Sequence, residues 1–384
     1  MAKKKKSKKK RKNVKSNFWN IVNLIVLLVI LGFSIFFAYK LLFFDHLKSR
    51  NSFYPYEEKN SLLEEKIKEV DLIFLNTAKE LNVSLKKIKY KNVFLKEQNK
   101  NLYHYQEIYL YLPDDQKKKF LNYFFQHLKN LPYVDVKINS NTINLKLNGI
   151  LTHRIKFLFK EAEEKSSFGE LLLIIDDMGR SLYSAKRLYS LLGKNVIFSI
   201  LPYAPYTKET VKFAQERGIE YLLHLPMEPE NYPEADPGKG ALFVKMSKKE
   251  IINTFYKDLS RVPGAIGVNN HMGSKFTANE RSMKILLQAI ADKKIFFLDS
   301  LTTPKSVTLK VAKHIKSLKV YYRDLFLDSQ KDSSYVYFQL KKAVDLTKLK
   351  KRVIVIGHPY EETLLGLAQW IKNYREIKVA LGSF

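Results

Sequence analysis

The feature that most limits the fold is a regular alternation across residues 168–384. Seven short apolar runs stand there: LLLII (171–175), VIFSIL (196–201), IEYLLHL (219–225), AIGVNN (265–270), KIFFLD (294–299), VYYRD (320–324) and RVIVIG (352–357). Amphipathic stretches of helical spacing, such as SLYSAKRLYSLL and NERSMKILLQAIADKK, separate them. Strand and helix in strict alternation build parallel β/α units. Seven of them predict an α/β domain, and a distorted (β/α)7-type barrel is expected over an open doubly wound sheet.

In such folds the functional groups sit at the carboxyl ends of the strands. The residues at and after those ends are Asp176 and Asp177, then His224 and Glu228, then His271, Asp299, the group Arg323, Asp324 and Asp328, and finally His358. A single Asp after a strand is commonly a helix N-cap. Polar groups at six of the seven ends exceed what capping explains. The chain has no cysteine, which removes thiolate metal sites and thiol nucleophiles. No glycine-rich phosphate loop and no GxSxG is present. Carboxylate and imidazole together suit a divalent ion with one position left for water, and one Asp with two His would suffice. Metal-assisted hydrolysis therefore ranks above covalent catalysis.

The segments IIDDMG (174–179), LHLPMEP (223–229), GVNNHMGS (267–274), LDSLTT (298–303), RDLFLD (323–328) and IGHP (356–359), in that order, resemble the divergent polysaccharide deacetylases. The resemblance covers about 168–384. It implies that Asp176 is the general base, that Asp177 is a ligand of a divalent metal, zinc being the expected one, and that His358 is the general acid toward the leaving amine. The broader family's HxxxH motif supplies His224 here, but Glu228 replaces its second histidine. His271 then stands as the third ligand, and Glu228 as either a metal ligand or a substrate contact. Arg323 and Asp328 would orient the acid or the base, and Asn270 and Asp299 would contact substrate. The implied activity is removal of N-acetyl groups from a peptidoglycan-like glycan. The departure at Glu228 leaves open a non-catalytic envelope protein that binds glycan on the same fold.

The earlier chain reads differently. Residues 1–17 are a basic tail, with ten Lys and Arg in the first fifteen positions and no acid. Phe18 to Phe44 is nearly all apolar and long enough to cross a bilayer of roughly 30 Å. A basic run before such a segment holds the amino terminus inside, so a single-pass signal anchor in the cytoplasmic membrane, with the remaining chain extracytoplasmic, is expected. A cleaved signal peptide is the alternative, but the apolar stretch is too long and no small-x-small site follows. The lysines fix this topology and meet anionic lipid, so the net charge of +29 does not point to nucleic acid. Residues 45–83 read as a linker and a helix that packs on the next domain or self-associates as a stalk, and 84–165 as a small α+β domain. Nothing in the sequence fixes the oligomeric state.

Overall fold

The computed structural model describes residues 62–98, 101–159, 168–374 and 380–384. The basic tail, the apolar segment 18–44 and the linker up to residue 61 lie outside the described residues. Among the described residues no helix is long and apolar enough to cross a membrane.

Helix α1 (Leu62–Glu80) places Leu63, Ile67, Val70 and Phe74 at three-to-four spacing and buries them. Phe74 meets Phe120 and Phe124 of α2 (Asp114–Leu128) edge-on at 5.4 and 5.9 Å. Both helices lie with a five-stranded sheet of β1 (Ile88–Gln98), β2 (Asn101–Tyr111), β3 (Val134–Asn139), β4 (Thr142–Leu147) and β5 (Ile150–Leu158), in the order β1-β2-β5-β4-β3. Helix α1 thus belongs to the core of the small α+β domain. A hairpin joins β3 and β4, with Asn139 opposite Thr142 and Ser140 at φ 51°.

The second sheet is wholly parallel. It contains β6 (Glu170–Met178), β7 (Ile197–Ile200), β8 (Tyr221–Met227), β9 (Gly267–Met272), β10 (Phe296–Asp299), β11 (Val320–Tyr322), β12 (Leu325–Phe326), β13 (Arg352–Gly357) and β14 (Ala380–Leu381). Its order is β11-β10-β9-β8-β7-β6-β13-β12, with β14 beside β6. Between the strands run α3 (Leu182–Leu192), α4 (Thr207–Arg217), α5 (Lys248–Arg261), α6 (Ser274–Thr277), α7 (Glu280–Asp292), α8 (Thr308–Ala312), α9 (Ser333–Thr347) and α10 (Glu361–Tyr374). Alternate residues of β6 take opposite sides. Leu172 and Ile174 join an inner cluster with Ile197, Leu222, Leu298, Phe326, Ile354 and Ile356, and Leu171, Leu173 and Ile175 join the outer core with the helices. Leu298 and Phe326 come from opposite ends of the ladder, so one inner cluster can hold both only if the sheet curls.

The sequence predicts a distorted seven-stranded barrel, and the sheet curls toward one without a continuous ladder closing it. Of the expected strand 320–324 only Val320–Tyr322 forms β11; β12 follows at Leu325–Phe326, and the two do not pair with each other. At the break the chain itself spans the gap: the Arg323 amide donates to the Asp299 carbonyl (3.2 Å) and the Asp324 amide to the Ile354 carbonyl (2.7 Å). Successive amides of an extended chain point to opposite sides, so here the chain passes from the β10 edge to the β13 edge.

Helix α9 is buried on nearly every side because both domains pack on it. Phe338 touches Phe74 and Tyr90 (6.3 and 5.6 Å), the Tyr90 amide donates to Asp345 (3.2 Å), and Lys342 donates to Gln106 (2.6 Å). The last residues meet the amino-end side of the sheet, where the Phe384 ring lies 4.3 Å from that of Phe296.

Asp258 of α5 is fully buried, no hydrogen bond reaches either carboxylate oxygen, and the absent Cβ of Gly240 leaves room for it. Burial raises its pKa to about 7, against the partial offset of the nearby Tyr203 hydroxyl and of Arg261 and Lys257. A carboxyl whose folded pKa exceeds its unfolded value binds the extra proton in the folded state, so stability falls as pH rises from about 4 to about 7. Asp258→Asn should remove that slope and stabilise the protein at pH 8 by roughly 2–4 kcal/mol. Urea unfolding at pH 5 and pH 8 checks this; parallel loss of stability in both proteins would contradict it.

Candidate functional site

Consecutive residues of a regular strand point to opposite faces, yet Asp176 and Asp177 both lie within 4 Å of one imidazole nitrogen. His224 Nε2 is 3.8 Å from Asp176 Oδ2 and 3.4 Å from Asp177 Oδ1. The pleat is broken to allow this. The β6–β7 register slips between Ile175 and Met178, and Asp177 sits at φ 57°, left-handed backbone that a non-glycine residue adopts at a cost of about 1–3 kcal/mol. Gly179, at φ 98°, completes the turn.

His224 comes from β8 and His271 from the end of β9. The β8–β9 register sets His224 beside Asn269 and Pro226 beside His271. Gly273 follows at φ 92°, where a Cβ would come within 2.8 Å of Met227 Cβ, so the turn that presents His271 requires glycine. Three atoms then form a small triangle: Asp177 Oδ1 to His271 Nδ1 is 3.2 Å, Asp177 Oδ1 to His224 Nε2 is 3.4 Å, and His271 Nδ1 to His224 Nε2 is 3.2 Å. All three side chains are buried. Neither Asp177 oxygen has a conventional hydrogen bond, although Arg180 Nε lies 3.5 Å from Oδ2.

This set fits a divalent ion. Ligand atoms about 2.0–2.1 Å from a tetrahedral zinc stand about 3.3–3.4 Å apart, close to the sides of the triangle. A carboxylate with two imidazoles is also a suitable donor set. Burial alone would raise the Asp177 pKa; His271, hydrogen-bonding geometry from both histidines and Arg180 instead hold it well below the ordinary carboxylate range. Burial pulls His271 down and favours its neutral, ligating form. Burial also pulls on His224, but Asp176 and Asp177 outweigh it and raise that pKa.

Asn269, which the sequence reading passes over, organises the centre. It is fully buried, its Nδ2 donates to Asp176 Oδ1 (2.8 Å), and its Oδ1 faces His224 Nδ1 (3.0 Å) and accepts from the Ser199 hydroxyl. An ionised Asp176 only accepts, so the amide nitrogen faces it and the amide oxygen faces His224. His224 Nδ1 therefore carries the hydrogen, and the Nε2 lone pair points toward Asp177 and His271. The signal was present in the sequence: Asn269 and His271 are two apart on a strand and share a face, whereas Asn270 points away.

The remaining candidates fall in two groups. His358 follows β13, which pairs with β6 so that Gly357 is level with Ile175, setting His358 beside Asp176 on the rim. Asp328 holds it, with Oδ2 accepting from the His358 amide (2.5 Å) and Oδ1 3.1 Å from Nδ1, while Thr363 donates to Oδ2. The imidazole stacks between Phe326 and Tyr360. Arg323 lies 3.6 Å over the Phe326 ring and donates to the Ser300 carbonyl (2.8 Å).

Glu228, Asn270 and Asp299 are structural braces in this arrangement. Glu228 accepts from Lys275 Nζ and the Val244 amide, both at 2.7 Å, and is not among the three grouped ligands. Asn270 donates to the Met272 carbonyl (2.8 Å) and accepts from the Ser300 amide (2.9 Å). Asp299 accepts from the Leu301 amide (2.8 Å) and the Ser306 hydroxyl (2.5 Å). Both are buried, and through these bonds they brace the loop after β10.

Asn269→Leu should weaken zinc binding about 10–100-fold in calorimetric titration, since it frees the His224 tautomer. Glu228→Gln should leave zinc affinity unchanged while lowering the unfolding temperature. Comparable affinity losses in both variants would contradict the division of roles.

Residues 173–383 match the family model described as divergent polysaccharide deacetylase. The chain is 32% identical over 205 residues to the uncharacterized protein YibQ of Escherichia coli (strain K12), covering 53% of this chain and 63% of that one. The match thus spans less than two thirds of the Escherichia coli protein. It is also 32% identical over 207 residues to an uncharacterized protein of Haemophilus influenzae, covering 54% of this chain and 72% of the relative. Among solved structures, an uncharacterized protein from Agrobacterium tumefaciens C58 shares the fold, with a TM-score of 0.53 at 18% identity over 57% of this chain and 89% of that one. With more than half of its length matched by the family model, the chain belongs to the divergent polysaccharide deacetylase family.

Proposed function

We propose that the protein is a metal-dependent hydrolase that removes N-acetyl groups from a peptidoglycan-like glycan outside the cytoplasmic membrane, to which the segment 18–44 anchors it. The observation that carries this reading is the buried triangle of Asp177, His224 and His271 with a second carboxylate, Asp176, against it. Family membership supports the reaction class. The basic run before the apolar segment supports the placement outside the membrane.

Asp177, His224 Nε2 and His271 Nδ1 would hold the ion, and zinc suits one carboxylate with two imidazoles. When bound, the ion supplies Lewis-acid polarisation of the acyl carbonyl and a lowered pKa for water. Asp176, oriented by the Asn269 amide, takes the proton of the attacking water. His358, its Nδ1 proton held by Asp328, presents Nε2 to the departing amine and protonates it as the C–N bond breaks. The products are acetate and a free amine.

Acetate release from N-acetylated glycan oligomers tests the proposal. Chelation should abolish activity and zinc should restore it. Asp176→Asn should keep zinc affinity and lower kcat about 10²–10⁴-fold. A zinc-loaded protein that releases acetate from no N-acetylated glycan, or an Asp176→Asn variant as active as the parent, would overturn the reading.

A further inference from the structure

Strand β3 ends the sheet of the small domain, and among the described residues it pairs only with β4. The opposite edge strand, β1, is held against α9 through the Tyr90 amide and ring. Along β3 every residue from Asp135 to Asn139 is exposed. An uncovered edge presents a row of main-chain groups on which another strand can pair.

The turn determines which groups face outward. Only Ser140 and Asn141 join β3 to β4, so Asn139 and Thr142 form a hydrogen-bonded pair. At the other end of the ladder the Asn148 amide donates to the Tyr133 carbonyl (2.9 Å). Bonding alternates along an antiparallel ladder, so Asp135, Lys137 and Asn139 turn their main-chain groups toward β4, and Val134, Val136 and Ile138 turn theirs outward. The Val134 amide donates to the Leu131 carbonyl (3.1 Å), which leaves the Val136 and Ile138 amides and the carbonyls of all three along the open edge.

Side chains divide in the same way. Val134, Val136 and Ile138 stand opposite the buried Leu147, Leu145 and Ile143 and continue their apolar face, yet Val136 is 40% and Ile138 52% exposed. Asp135 and Lys137 lie on the other face, where Lys137 is opposite Asn144 and not a carboxylate.

This edge is its own complement. A two-fold axis through Val136 sets two copies antiparallel, with Val136 opposite Val136, Val134 opposite Ile138, and Asp135 opposite Lys137 in both directions. The two Val136 residues then exchange amide-to-carbonyl bonds, and each Ile138 amide reaches the Val134 carbonyl of the other copy. The next registers that keep the outward groups paired set Asp135 against Asp135 or Lys137 against Lys137, which like charge disfavours. We infer that β3 is a homodimerisation edge, which joins two small domains into one continuous sheet across an isologous interface. A second copy is the occupant because the charges of this strand select it and fix its register. An edge of six residues buries less than a standard interface, so the contact is weak and reversible.

The chain has no cysteine, so single-cysteine variants of the full chain in detergent report this contact without background. Oxidation of Val136→Cys should give a covalent dimer, because self-opposed residues of such a pair have Cα atoms about 5.5 Å apart, within disulfide reach. Ile138→Cys, whose two copies stand about 14 Å apart along the strand, should give at least about tenfold less. In the Val136→Cys background, Asp135→Lys and Lys137→Asp should each slow crosslinking about tenfold, and the two together should restore it to within about threefold. Unfolding temperatures identify any variant that fails to fold. No covalent dimer from folded Val136→Cys, equal yields at 136 and 138, or a charge swap that fails to restore crosslinking would each overturn the inference.

Discussion

Two adjacent carboxylates at the end of a buried strand can meet the same partners only if the strand gives up its pleat. Asp177 does this with left-handed backbone, and the slipped register at β6 gives it room. The strain and the burial of two ionised groups each cost on the order of kcal/mol, and unpaired burial would cost several. Two imidazoles and Arg180 around Asp177, and the Asn269 amide on Asp176, offset that cost. A divalent cation would offset more of it, because it supplies charge where the two carboxylates converge.

Everything else at the rim serves to bring partners to that point. The parallel register carries His224, Asn269 and His271 to the same level, and β13 brings His358 alongside. Asn269 ties a ligand to the neighbouring carboxylate and thereby fixes the imidazole tautomer. Glu228 stands where the broader family's motif has a second histidine, but Lys275 and the Val244 amide hold it as a brace on the loop after β8. The imidazole of His271 occupies the third corner instead.

Much of this was legible in the sequence, because strand–helix alternation forces polar residues at strand ends onto one rim. That placed Asp177, His224 and His271 among the rim residues, and the resemblance to the divergent polysaccharide deacetylases singled them out as ligands. Asn269 was missed and Asn270 chosen, although pleat parity with His271 distinguishes them. Glu228 stayed ambiguous because its fate depends on Lys275, brought to it by a tertiary turn. The break at Arg323 was illegible because VYYRD has the composition of a continuous strand, and only the placement of the β10 and β13 edges on either side of it shows where its ladder stops. The merging of the two domains around α9 was likewise hidden, since a helix holding Lys341, Lys342 and Asp345 reads as solvated until Asp71, Gln106 and Tyr90 are placed against it.

Asp177, His224 and His271 converge as the donors of one proposed metal centre. Anomalous diffraction at the zinc edge from crystals grown with zinc tests it most directly. The account requires a single strong peak about 2.0–2.2 Å from Asp177, His224 Nε2 and His271 Nδ1, with Glu228 still bonded to Lys275. A peak coordinated by Glu228, or no peak within this triangle at saturating zinc, would contradict it.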